Sequence, residues 1–347
     1  MDNSSPNKKR LLNFLAGEYG KRIISGQMDT SWTINKKMDM ISRVYNDTGR
    51  YPAIKGFDLI QLPYNYAPFY GGIEQIDEAV EWWEGKNNGE RLLPDRPDTH
   101  GIVTFCWHWR AGGKNAFYTK KTGFRIPWKN GGISGGGKLD TSGENFRKII
   151  DDLDRAAALL NILKEKDIPV LWRPLHEAAG GWFWWGADGP DPYTALWEYM
   201  HDYFTNEKKL NNLIWVWSAE DAAWYPNPST VDITGVDLYT MNYTSLKEEF
   251  DKAVSMPSFK YAPEKSKITA LSENDRLPDP DDCIKQKMMW SWFMTWNDMR
   301  FTAGETHKDN FWTGEYHNPQ SRKEKVYNHP LVITLDKLPD LTAYKAS

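Results

Sequence analysis

Cysteine is scarce in this chain, which has only Cys106 and Cys283 among 347 residues. Two cysteines cannot form a disulfide framework, and no Cys-x-x-Cys pair indicates a metal site. Apolar runs of about 18 residues are lacking and the mean hydropathy is −0.68, so no membrane span is predicted. Positive charge is not in excess, since 43 basic residues face 47 acidic ones, and nucleic acid is therefore disfavoured as a partner. The N-terminus lacks the apolar segment of a signal peptide.

Tryptophan is the residue present in excess, with 18 copies beside 17 Tyr and 14 Phe. An indole is large and amphipathic, and it serves either as core packing or as a flat surface that grips a partly wet ligand such as a sugar. Composition alone leaves both interpretations open.

Short apolar runs alternate with helical patterns along the whole chain. Near-continuous apolar runs are typical of parallel strands that are covered on both faces. Eight strands are predicted, over Arg22–Met28, Ala53–Ile60, Gly101–Trp109, Pro169–Glu177, Leu213–Ser218, Asp232–Tyr239, Ile268–Glu273 and Trp290–Trp296. Helices are predicted over Thr33–Thr48, Gly72–Trp83, Ser142–Lys166 (capped by Ser142), Asp191–Phe204 and Ser245–Val254.

This alternation predicts an α/β fold, the (β/α)8 or TIM barrel, as a single domain over residues 1–347. The competing open, doubly wound sheet would need a Gly-rich phosphate-binding turn after the first strand, and none is present. Residues 1–20 are expected to form an N-terminal extension. Residues 110–142 are expected to form a long Gly-rich loop on the strand-exit face, where barrels build their sites.

Two strand ends carry carboxylates. His176 and Glu177 close the fourth strand, and Glu273 closes the seventh. In a barrel these ends face one mouth, and glycosidic hydrolysis needs two carboxyl groups there, one as acid and one as nucleophile or base. A His-Glu-x-x-His zinc site is excluded because residue 180 is glycine.

The string Arg173–Glu177, followed by Gly180–Gly186 with its three tryptophans, resembles the signature of glycoside hydrolase family 26, the endo-β-mannanases. The resemblance covers nearly the whole chain. It extends to Ile102–Trp109, Gly235–Tyr239, Leu271–Asn274, Trp292–Trp296 and Tyr327–Pro330. It implies a retaining barrel enzyme that needs neither metal nor organic cofactor.

The resemblance also implies roles for particular residues. Glu177 corresponds to the acid/base, Glu273 to the nucleophile, His176 to its neighbouring hydrogen-bonding histidine and Tyr239 to the tyrosine that orients the nucleophile. Substrate-binding positions are implied at His108, Asp237, Trp182 and Trp296. Trp109, Trp185, Trp217 and Trp224, together with Trp184, are further candidates at strand exits, whereas Trp32, Trp82 and Trp83 on helical segments are expected to pack.

The two glutamates must differ in protonation. We expect apolar tryptophan surroundings to raise the pKa of Glu177, and hydrogen bonds from Tyr239 and His108 to keep Glu273 ionised. Retention predicts carboxyl groups ~5–5.5 Å apart, whereas a separation near ~9 Å would predict inversion.

The leading hypothesis is a retaining endo-β-1,4-mannanase that acts on mannan, glucomannan or galactomannan. The alternatives are a β-1,3-1,4-glucanase or a β-1,3-xylanase of the same family, or a non-catalytic carbohydrate-binding barrel. A monomer that is secreted or held at the cell surface is expected, because the substrate is a polymer.

Overall fold

Eight parallel strands form a closed barrel at the centre of the molecule. The structure is a computed structural model that describes residues 3–29, 39–62, 73–111, 116–130, 136–239, 245–260, 267–298 and 310–345. Each strand pairs with its neighbour in chain order, and the eighth pairs with the first, which closes the sheet. The strands are β1 Ile23–Met28, β2 Ile54–Asp58, β3 Ile102–Cys106, β4 Val170–Arg173, β5 Leu213–Trp217, β6 Ile233–Leu238, β7 Ile268–Asn274 and β8 Trp292–Thr295. The predicted (β/α)8 barrel is confirmed.

Helices alternate with these strands around the barrel. They are α1 Pro6–Glu18, α2 Met40–Thr48, α3 Ile73–Trp83, α4 Glu144–Glu165, α5 Pro190–Asp202, α6 Ser245–Lys260, α7 Pro280–Lys285 and α8 Gln320–Tyr327. The predicted cap of α4 is wrong, because Gly143 occupies the cap position. Ser142 lies in the preceding turn, where its hydroxyl donates to Asp140 Oδ1 at 2.6 Å. Residues 33–38 of the helix predicted over Thr33–Thr48 lie outside the described residues.

The fourth strand is shorter than predicted. β4 ends at Arg173, and the chain then leaves the sheet because Leu175 and Glu177 both adopt a φ of +53°. A left-handed residue cannot continue a strand, so the segment through Glu177 is an irregular turn at the barrel mouth. The eighth strand is also shorter, since neither Trp290 nor Trp296 belongs to it.

Tryptophan fills much of the interior. Trp82 and Trp83 are buried as predicted, whereas Trp32 lies outside the described residues. Twelve tryptophans are fully buried: Trp82, Trp107, Trp109, Trp172, Trp184, Trp185, Trp197, Trp215, Trp217, Trp290, Trp292 and Trp312. At the N-terminus, the segment expected to be an extension forms α1, which buries Leu11, Phe14 and Leu15.

The loop after β3 covers one side of the barrel mouth. Within residues 110–142, positions 112–115 and 131–135 lie outside the described residues. A short antiparallel pair joins Trp128–Lys129 to Lys138–Leu139. The loop is tied to the turn after β4, since the Thr119 amide donates to the Trp182 carbonyl at 2.7 Å. Among the helices in the described ranges, none combines the length and apolarity that crossing a bilayer requires.

Candidate active site

The turn after β4 presents Glu177 to the barrel mouth. The Glu177 amide donates to the Ser218 carbonyl at 2.8 Å, which ties this turn to the end of β5. The φ of +53° at Glu177 is unusual for a residue with a side chain. Such backbone strain costs on the order of 1–3 kcal/mol and persists where the surrounding structure enforces it. Here it lets the Glu177 carboxyl line the cleft together with Glu273.

Glu273, on β7, is held by two donors. Arg173 Nη2 donates to Glu273 Oε2 at 2.5 Å, and the Tyr239 hydroxyl donates to Glu273 Oε1. Only 4% of Glu273 is exposed. Tyr239 is 43% exposed, but its hydroxyl is turned inward to the buried Glu273. Burial of that hydroxyl and the nearby Glu273 charge raise the pKa of Tyr239 well above its ordinary value, so the tyrosine remains a donor.

Asp237, on β6, shares the same arginine. Arg173 Nη1 donates to Asp237 Oδ2 at 2.5 Å, and the Ser218 and Ser272 hydroxyls donate to the two carboxyl oxygens at 3.0 and 2.7 Å. Burial raises the pKa of Asp237 to about 6 in spite of the arginine. Asp237 therefore lies behind the site as a support for Arg173, and it does not line the cleft as the sequence suggested.

Glu177 differs from Glu273 in its hydrogen-bond donor, which is an indole rather than an arginine and a phenol. Burial is the main cause that raises the pKa of Glu177 to about 9, and the charges of Glu273, Asp237 and Glu220 add to it. The Trp182 indole N–H donates to Glu177 Oε2 at 3.0 Å and lowers that pKa by a smaller amount. At neutral pH, Glu177 therefore carries a proton that it can donate, which fits a general acid.

The two histidines lie side by side at the cleft, with His108 in its lining and His176 buried behind it. His108 Nδ1 lies 2.6 Å from Asp58 Oδ2, and His108 Nε2 lies 3.4 Å from His176 Nε2. Burial, with Arg173 and His108 nearby, lowers the pKa of His176 well below its ordinary value, so His176 is neutral. The expected hydrogen bond from His108 to Glu273 is replaced by the bond to Asp58, and Arg173 is the second donor to Glu273.

These groups surround a cleft of about 240 Å³. Aromatic side chains make up most of its wall, and both catalytic candidates reach it. The lining residues are Asp58, Ile60, His108, Phe117, Tyr118, Glu177, Trp182, Phe183, Tyr239, Glu273 and Trp296. An aromatic wall with a few fixed polar groups is the pattern expected of a small-molecule or sugar site.

Most of the predicted tryptophan platforms are not open to a ligand. Trp109, Trp185 and Trp217 are fully buried, as is Trp184, and their indole N–H groups donate to protein acceptors. Their faces are therefore enclosed by the protein, and we reassign them to packing behind the site. Trp224 is half-buried outside the cleft wall. Trp182, which is 44% exposed, and Trp296 remain as candidate sugar contacts.

Sequence reasoning missed several residues of the site. Asp58 ends β2 and could have been found by the strand-end rule that identified Glu177 and Glu273. Phe117 and Tyr118 come from the loop after β3, and no pattern in the sequence marks them. Glu220 follows β5 closely, and one of its carboxyl oxygens lies within 4.8 Å of oxygens of Glu177 and Asp237.

Among the residues that the structure describes, two side-chain clusters have the spacing of metal ligands, but their chemistry does not favour a metal. One consists of Glu177, Glu220 and Asp237, and the other of Asp58, Cys106 and His108. Glu177 keeps its proton at neutral pH, and burial raises the pKa of Cys106 well above its ordinary value. A metal would have to displace the proton of Glu177 or of the Cys106 thiol, so neither cluster is preformed for a metal.

Comparison with known proteins agrees with this geometry. The sequence model described as glycosyl hydrolase family 26 matches residues 1–337. A mannan endo-1,4-beta-mannosidase of Thermothelomyces thermophilus is 31% identical over 340 residues, which is 95% of this chain and 61% of that protein. Mannan endo-1,4-beta-mannosidase A of Piromyces sp is 32% identical over 96% of this chain and 49% of its own length. The chain thus spans about half to three fifths of these relatives.

Solved structures show the same architecture. The GH26-CBM35 beta-(1,4)-mannanase of Podospora anserina superposes with a TM-score of 0.77 at 29% identity, over 98% of this chain and 68% of that one. A beta-mannanase from a symbiotic protist of the termite Reticulitermes speratus, complexed with gluco-manno-oligosaccharide, gives a TM-score of 0.75 at 28% identity, over 97% and 96% of the two chains.

Proposed function

The chain belongs to glycosyl hydrolase family 26, and from this membership we propose that it is an endo-β-1,4-mannanase that hydrolyses mannan-type polysaccharides with retention of configuration. One observation carries the proposal. A single cleft brings together a carboxyl group that keeps its proton, Glu177, and a carboxyl group held by cationic and phenolic donors, Glu273. The names of the relatives support mannan as the substrate class.

The chemistry follows from this division of roles. Glu273 attacks the anomeric carbon while Glu177 transfers its proton to the leaving glycosidic oxygen, and a glycosyl ester forms on Glu273. Glu177, now ionised, then takes a proton from a water molecule that attacks the same carbon and releases Glu273. Arg173 and Tyr239 orient Glu273 and stabilise its carboxylate before attack and after release. Trp182 donates to Glu177 and offers its exposed face to the sugar on the leaving-group side.

Product analysis tests the substrate and the chemistry together. The chain is incubated with mannan, glucomannan, galactomannan, lichenan and β-1,3-xylan, and products are separated by size. Manno-oligosaccharides of mixed length are expected from the first three, and the anomeric proton of the first product should show the β form. Cleavage of lichenan or β-1,3-xylan alone would favour the glucanase or xylanase alternative, and no product from any of them would favour a carbohydrate-binding barrel.

Matched variants assign the nucleophile. Glu273→Ala should abolish turnover while oligosaccharide binding is retained, because the attacking carboxylate is lost but the aromatic wall remains. Glu207→Ala removes an exposed glutamate in the turn Tyr203–Glu207 that follows α5, and it serves as the control. Near-normal rates in Glu273→Ala would refute the assignment. We also propose that the protein acts outside the cell, because a polymeric substrate cannot enter the cell. We further propose that it is a monomer, and size-exclusion chromatography tests this oligomeric state.

A further inference from the structure

Glu220 is a titratable side chain at the site to which the mechanism above gives no role. It follows Ala219 at the exit of β5 and adopts a φ of +72°, which is uncommon for a residue with a side chain. This backbone turns the residue toward the mouth, where it is half-buried. A carboxyl oxygen of Glu220 lies within 4.8 Å of an oxygen of Glu177 and of one of Asp237.

The charges around this cluster are not evenly matched. Arg173 is bound to Asp237 and Glu273 at 2.5 Å each, so these two carboxylates share its single positive charge. Glu220 faces Glu249 and Lys252 of α6, which are 3.6 Å apart as an ion pair of their own. The groups that face Glu177 are Tyr118 from the loop after β3, Trp182 from its own turn, Asp237 and Tyr239 at the end of β6, Glu273 on β7 and Glu220.

We infer that Glu220 is a positioning residue that keeps the catalytic proton on Glu177. The inference rests on the proposed function, because it concerns the acid of that reaction. Two carboxyl groups this close cannot both ionise readily, so the pair releases its protons in two separate steps. The negative charge left by the first step makes the second proton harder to remove. Glu177 therefore stays protonated to a higher pH than burial alone would achieve.

The pKa directions agree with this geometry. Burial, followed by the charges of Asp237 and Glu273, raises the pKa of Glu220 to about 8. Glu220 is in turn among the charges that raise the pKa of Glu177. If Glu220 cannot ionise, Glu177 loses one repelling neighbour and its proton leaves at lower pH.

The test is the pH dependence of kcat/KM for Glu220→Gln. On a manno-oligosaccharide, the alkaline limb reports the pKa of the acid in the free enzyme, and it should move about one unit toward lower pH. Glu220→Asp keeps the charge, so its alkaline limb should stay close to that of the unmodified protein. Asp221→Asn is the matched control, because it removes the neighbouring exposed charge while the asparagine oxygen still accepts from the Ala223 amide. Its alkaline limb should not move.

A second substrate separates the acid from other effects. A 2,4-dinitrophenyl mannobioside has a leaving group that departs without protonation, so its kcat/KM should show no shift in Glu220→Gln. A limb that stays in place on the oligosaccharide, or an equal shift on both substrates, would overturn the inference and leave the proposed function intact. Absence of mannan cleavage by the unmodified chain would instead refute the proposed function. If the glutamine variant does not fold, the alkaline limb of kcat/KM is measured for Glu220→Ser, which removes the same charge.

Discussion

Replacing Glu177 by glutamine should stabilise the protein at neutral pH. Glutamine matches the shape of glutamic acid and keeps an oxygen that can accept from the Trp182 indole, but it cannot ionise. The native pKa of about 9 lies above the ordinary value of 4.5, so between these values the folded protein binds a proton that the unfolded chain has released. The stability of the unmodified protein therefore falls as the pH rises through this window.

The size of the effect follows from the same shift. At pH 7 the unfolded glutamate is 2.5 units above its pKa of 4.5, which corresponds to about 3 kcal/mol at roughly 1.36 kcal/mol per unit. A chain of 347 residues has an unfolding entropy of about 0.7 kcal/mol per degree. The variant should thus melt roughly 4 °C higher at pH 7, with the advantage vanishing near pH 4 and growing toward pH 9.

Calorimetry at several pH values from 4 to 9 measures this difference directly. Glu207→Gln is the control, because an exposed glutamate should change stability by only about 0.5 kcal/mol or less at any pH. A Glu177→Gln protein that melts at or below the unmodified protein at pH 7, or whose advantage does not depend on pH, would refute the reasoning. The same variant should cleave manno-oligosaccharides about 10²–10⁴-fold more slowly. On a dinitrophenyl glycoside it should keep its kcat/KM, whereas kcat should fall because hydrolysis of the glycosyl ester still needs Glu177 as the base.

Two further predictions concern the neighbours of the catalytic pair. Arg173→Met leaves Asp237 and Glu273 buried without their shared cation. Urea unfolding should therefore show that the free energy of unfolding falls by about 3–5 kcal/mol. A fall below about 1 kcal/mol would mean that the ion pairs add little to stability. Trp182→Phe removes the donor that lowers the pKa of Glu177, so the alkaline limb of kcat/KM should move to higher pH, and movement to lower pH would contradict this role.

The meeting of Glu177 and Glu273 in one cleft could be predicted from sequence because a barrel imposes its own geometry. The carboxyl ends of parallel strands meet at one face, so a polar residue at the end of an apolar run is placed there without any knowledge of packing. Glu177, Glu273 and Tyr239 follow this rule and line the cleft. Asp58 follows it as well and was overlooked, because a single aspartate after a strand gives little signal by itself.

The candidate sugar platforms could not be predicted in the same way. Trp182 and Trp185 are three residues apart, yet the first is 44% exposed and the second is fully buried. The difference arises from tertiary contacts, since the Trp185 indole donates to the His176 carbonyl at 2.8 Å inside the wall. Glu220 was missed for a related reason. Its position depends on a left-handed backbone angle, which cannot be predicted from the presence of a glutamate in the sequence.

The burial of the indoles has an optical consequence. Within the described part of the chain, Trp182 is the one exposed tryptophan, and its indole nitrogen lies 3.0 Å from the Glu177 carboxyl. A small polar quencher in solution would reach this indole far more readily than the enclosed ones. Among the described indoles, Trp182 at the cleft should therefore contribute most to the quencher-accessible fluorescence, ahead of the half-buried Trp128 and Trp224. Occupancy by an unlabelled oligosaccharide then becomes visible as protection of that fraction from quenching.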